Sequence, residues 1–111
     1  MLRNNQYYSL AEIIDDVRLQ GNTGDDFCLY GQDREGMDLQ QPYMVADYPD
    51  VVGDRVVNPD AVQAEGLGYV YSGQQFADVI SVVMMQKPEA GYAECVRALD
   101  HYQEHDAFLE L

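Results

Sequence analysis

Residues 67–86 read LGYVYSGQQFADVISVVMMQ, and this stretch decides the fold class. Leu67 to Tyr71 is a short run of aromatic and aliphatic residues, weakened as a strand only by Gly68. Ser72 and Gln75 then stand at capping-box spacing, where the hydroxyl and the side-chain amide satisfy free amides of a first helical turn. Phe76, Val79, Ile80, Val83 and Met84 follow at i, i+3, i+4, i+7 and i+8, which is one face of a helix. A strand that passes straight into an amphipathic helix calls for a sheet with helices laid on it.

Working outward, Lys87 and Pro88 break this helix, and a last helix from about Glu89 to His105 gathers Tyr92, Cys95, Val96, Leu99 and Tyr102 on one side. Upstream, Asn58, Pro59 and Asp60 read as an N-cap, a first-position proline and an acidic first turn of a short helix that Gly66 ends. Asp26 to Tyr30 and Tyr43 to Ala46 read as strands, joined by the polar stretch Gly31 to Gln41. Asp47 to Asn58, with Pro49, Gly53 and three aspartates, reads as exposed loop, its valine pairs 51–52 and 56–57 expected to pin it to the body. Ser9 and Glu12 open a first helix that buries Leu10, Ile13, Ile14 and Val17 and stops at Gly21. The expectation is a single α+β domain over residues 1–111, a small three-stranded sheet covered on one side by three main helices plus one short helix.

The chain has 111 residues, and about a quarter are Leu, Ile, Val or Phe, enough for one small core. Its charge is the unusual feature: 20 acidic residues against 6 basic ones, a net −14. Such a surface repels phosphate, which excludes direct nucleic-acid binding and anionic membranes and favours a basic partner. Residues 1–8 lack the apolar stretch of a signal peptide, and the longest apolar run, Val79 to Met85, is far short of the ~20 residues that cross a bilayer. A soluble, cytoplasmic protein is expected, with Cys28 and Cys95 as reduced, buried thiols.

No constellation of catalytic residues stands out. His101 to His105 spell H-x-x-E-H, the signature of inverted zincins, but a hydrolytic zinc site needs a third protein ligand, which those enzymes draw from far along a much longer chain. Asp33, Glu35, Gly36 and Asp38 do not follow the ligand order of an EF-hand. Cys95 sits on an apolar helical stripe without a cationic neighbour to activate it. The reading is therefore a non-enzyme without metal or cofactor. What remains is acidic loops interleaved with tyrosines, a combination suited to protein recognition: carboxylates steer and aromatic rings anchor. The candidate partner-binding residues are Asp25, Asp26, Tyr30, Asp33, Glu35, Asp38, Tyr43, Asp47, Tyr48, Asp50 and Asp54.

The tail Gln86-Lys87-Pro88-Glu89-Ala90, with Ala98, Leu99, Tyr102 and the ending Glu104-His105-Asp106-Ala107-Phe108, resembles small acidic immunity proteins of bacterial polymorphic-toxin and contact-dependent growth inhibition systems. Phe27 to Tyr30 and Tyr43 to Asp47 resemble the two early strands of that family. The resemblance implies a stoichiometric inhibitor that occludes the basic active-site cleft of a cognate toxin domain, a nuclease. The alternative is an acidic nucleic-acid mimic that inhibits a host defence nuclease.

Overall fold

Ser9 ends one element and opens the next. In the computed structural model, which describes residues 2–32 and 36–111, strand β1 (Gln6–Ser9) runs directly into helix α1 (Leu10–Gln20). The Ser9 hydroxyl accepts from the Glu12 N–H, the Glu12 carboxylate accepts from the Ser9 N–H, and Gly21 closes the helix at φ 70°. Strands β2 (Cys28–Gly31) and β3 (Pro42–Ala46) follow, then β4 (Asp50–Val52), β5 (Arg55–Val57), α2 (Asp60–Ala64), β6 (Gly68–Ser72), α3 (Gly73–Gln86) and α4 (Tyr92–His105).

The main sheet has four antiparallel strands in the order β1-β3-β2-β6, and β4 with β5 forms a separate two-stranded ribbon. The α+β class and the four helices agree with the sequence reading; the three-stranded sheet is corrected to four. The added strand, Gln6–Ser9, is polar and tyrosine-rich at an edge and has no apolar alternation to announce it.

Cover on one side only is also corrected. Leu29, Tyr43, Val45 and Tyr71 face the core shared with α1, α3 and α4, whereas Cys28, Tyr30, Met44 and Ala46 face a second cluster closed by Val62 of α2 and by Leu67. Side chains alternate across a strand, so β2 and β3, covered on both faces, are buried at nearly every position. Both members of each cross-strand pair share a face: Leu29 opposes Val45 on the first, Tyr30 opposes Met44 on the second.

Between Leu29 and Tyr30 the pairing with β6 slips: Leu29 opposes Tyr71, but Tyr30 opposes Tyr69, so Val70 is an extra residue. This bulge turns Tyr69 onto the α2 side, where its ring meets Tyr30 edge-on at 6.0 Å. Gln103 of α4 donates to the Val70 carbonyl at 2.8 Å, so the side chain takes up a carbonyl at the slip. Tyr71, on the other face, donates to the Leu99 carbonyl at 2.8 Å. The start of α4 is tied to α1 by a polar knot in which Tyr92 and Arg18 both bond Asp15 and the guanidinium lies 4.9 Å over the Tyr92 ring.

The tightest backbone approach joins the loop after α1 to the start of α3. Gly73 donates to the Phe27 carbonyl at 2.9 Å, and Gly24, at φ 77°, lies directly against Gly73. A Cβ at either glycine would overlap the other's main chain. We expect Gly73→Ala to lower unfolding free energy by about 3 kcal/mol or more, because backbone cannot rotate aside as a side-chain tip can. Denaturant unfolding of the variant beside Gly21→Ala, where a Cβ meets nothing within 4 Å, separates this overlap from the milder strain of a positive φ.

Candidate protein-binding surface

Strand ends place the acidic residues. β2 begins and β3 ends at the same end of the sheet, because they are antiparallel and Cys28 opposes Ala46. The loop before β2 therefore delivers Asp25 and Asp26 beside Asp47, which follows β3. Asn4 ties them: its side-chain amide donates to Asp47 Oδ1 at 2.7 Å and reaches the Asp26 carbonyl at 3.4 Å. Asp25 is held by Thr23 at 2.9 Å and by Gln74 at 3.1 Å. Asp47, Asp50 and Asp60 then line one shallow cleft of about 250 Å³ with Tyr48, Val57, Asn58 and Pro59. All five of these aspartates are exposed, and Asp54 stands exposed in the hairpin turn beyond them.

Beside this acidic end lies a groove of about 560 Å³, lined by Leu2, Phe27 and Val45 on its apolar side and by Asp16 and Asp26 on its polar side. Asp16 is buried and accepts from the Asn22 amide at 2.7 Å. An apolar wall with carboxylates at its margin matches the stem and head of a lysine or arginine side chain.

The predicted residues divide. Asp25, Asp26, Asp47, Tyr48, Asp50 and Asp54 share this end of the molecule. Asp38 precedes β3 and lies at the opposite end, where its N–H donates to the Tyr43 hydroxyl at 2.9 Å. Asp33 and Glu35 lie outside the described residues. Tyr30 and Tyr43 are corrected: both are buried, at 0% and 2% exposure, and serve as core rather than as surface anchors. Covering both faces of β2 and β3 leaves no strand residue between the ends free to meet a partner. Tyr48 is half-buried; its hydroxyl donates to the Gly24 carbonyl at 2.9 Å and accepts from the Gln74 N–H at 3.2 Å, so it braces the acidic loops.

The sequence reading missed the apolar part of the surface. The valines expected to pin residues 47–58 project instead: Val51, Val52 and Val56 are exposed at 72%, 60% and 70% on the β4–β5 ribbon. The signal was present in Val51-Val52-Gly53-Asp54-Arg55-Val56-Val57, two β-branched pairs around a two-residue turn led by glycine, here at φ 65°.

The other candidate chemistry is placed as follows. His101 and His105 lie one helical turn apart with ring centroids at 4.5 Å, and among the described residues no three His, Cys, Asp or Glu side chains converge as a metal group. Cys28 and Cys95 are buried free thiols, and burial raises both above the usual thiol range. No helix among the described residues is long and apolar enough to cross a membrane.

Fold and surface together define a small acidic α+β domain with a projecting valine hairpin at its acidic end. Residues 7–111 match the family described as a domain of unknown function, DUF7716, and the chain belongs to that family. No curated protein and no solved structure matches it.

The placement of the tyrosines predicts an alkaline signature. Burial raises the hydroxyls of Tyr30, Tyr48, Tyr69 and Tyr71 above their ordinary 10.0. The folded chain ionises these groups at a higher pH than the unfolded chain, whose tyrosines ionise near pH 10, so their contribution to stability is complete below that pH and falls as pH rises above it. Tyrosinate absorbance should therefore show a silent fraction in the folded protein that appears cooperatively with loss of circular dichroism. Smooth titration of all the tyrosines near pH 10 with structure intact would contradict the buried placement.

Proposed function

We propose that this protein is a stoichiometric inhibitor of the immunity type, which binds the basic active-site cleft of a cognate bacterial toxin domain, a nuclease, in the cytoplasm of the cell that makes it. The observation that carries this reading is the joint presence, at one end of the sheet, of six exposed aspartates (25, 26, 47, 50, 54 and 60) and an exposed valine hairpin. Carboxylates raise the rate of encounter with a cation-lined cleft, and apolar side chains hold the complex once water is excluded. A nuclease cleft must be positive to hold phosphate, so it is complementary to this end. The groove of Asp16 and Asp26 adds a seat for one basic side chain.

In this reading the protein performs no catalysis and needs no metal or cofactor; its work is to cover a cleft. All but one of the six aspartates gather on loops and on the hairpin, Asp60 opening α2, which favours occlusion over imitation of the regular phosphate spacing of a nucleic acid.

The test is binding to the C-terminal domain of the product of the adjacent upstream gene, followed at several salt concentrations. Replacing Asp47, Asp50 and Asp54 together by Asn should slow association about tenfold or more at low salt and flatten its salt dependence, with little change in dissociation. Association that ignores both salt and these three charges would contradict the proposal.

A further inference from the structure

The β4–β5 ribbon has two open edges, and they differ in charge. Val51 opposes Val56, with Asp50 opposite Val57 and Val52 opposite Arg55. In a two-residue hairpin the pair next to the turn exchanges hydrogen bonds and the following pair does not, so the N–H and C=O of Val51 and of Val56 point outward along the two edges. Among the described residues no further strand pairs with either edge. The β5 edge carries Arg55 beside Val56, in a shallow groove completed by Val57, Asn58 and Gln63. The β4 edge carries Asp50 beside Val51, and Asp50 shares its cleft with Asp47.

We infer that the outer edge of β4 accepts an extended strand from a basic partner, with an apolar residue opposite Val51 and a lysine or arginine opposite Asp50. The inference rests on reading the acidic end as the partner surface and names how the partner is held there. Main-chain bonds supply attachment, and the apolar–cationic alternation supplies register, since side chains opposite one another across a strand pair are close neighbours. Arg55 disfavours a cationic strand on the β5 edge. A second copy of this chain is the poorer occupant, because each carries a net −14.

The experiment titrates the full-length, isotope-labelled protein with a six-residue peptide of alternating lysine and valine, and separately with a lysine–glycine peptide of equal charge. The lysine–valine peptide should bind about tenfold more tightly and shift the amides of residues 50–52 more than those of 55–57. Val51→Pro removes an outward N–H and no ladder bond, so it should leave the remaining spectrum native and reduce affinity to that of the lysine–glycine peptide. Asp50→Asn should weaken binding about threefold at low salt, and less at high salt. Equal affinity for the two peptides, shifts centred on Arg55 to Val57, full affinity in Val51→Pro, or a dimer that Val51→Pro dissociates would each overturn the inference. The peptide assay is independent of the toxin: failure of the toxin to bind while the peptide result holds overturns the immunity reading alone, and undiminished toxin binding by Val51→Pro overturns the strand inference alone.

Discussion

The acidic end depends on a backbone crossing that admits no side chain. Gly24 and Gly73 meet main chain to main chain, and Gly73 donates to the Phe27 carbonyl. This contact presses the loop after α1 against the first turn of α3, and β2 leaves from the same point. Tyr48 completes the brace by bridging Gly24 and Gln74 through its hydroxyl. Asp25, Asp26 and Asp47 are thereby held at one end of the sheet although about twenty residues separate the first pair from the third. Like charges oppose such gathering, so the hydrogen bonds of Gly24 and Tyr48, and the one from the Asn4 amide to the Asp47 carboxylate, hold the loops against repulsion.

Sheet coverage explains why the proposed recognition residues lie at strand ends. With α1, α3 and α4 on one face and α2 on the other, the central strands have no free side. Tyrosines in the middle of β2 and β3 are consumed by packing, and the acidic end is built from the connections, the ribbon and the first residue of α2. The bulge at Val70 shows the same economy: Tyr71 enters the larger core, Tyr69 joins Tyr30 on the opposite face, and Gln103 bonds the Val70 carbonyl.

Much of the architecture was legible because local chemistry and tertiary structure agree. Ser9 with Glu12 and Ser72 with Gln75 mark helix starts, Gly21 marks a stop, and the one-face spacing of Phe76 to Val83 matches the buried stripe of α3. The polar edge strand Gln6–Ser9 was not legible, because its pairing with β3 is a long-range event without a local pattern. Burial of Tyr30 and Tyr43 was not legible either: periodicity reports that a strand has faces, not that both are covered. The valines of the ribbon were misread for a different reason. Apolar residues in an acidic loop are ordinarily explained by burial, and their exposure emerges only once the hairpin is seen, among the described residues, to pair with no other strand.

The central claim, that the acidic end with its hairpin is the face that meets a basic partner, is tested most directly by amide hydrogen exchange on the complex with the proposed partner, sought as the product of the adjacent upstream gene. The account predicts new protection confined to residues 24–26 and 47–57. Protection confined to the outer surfaces of α3 and α4, with those segments exchanging as in the free protein, would contradict it.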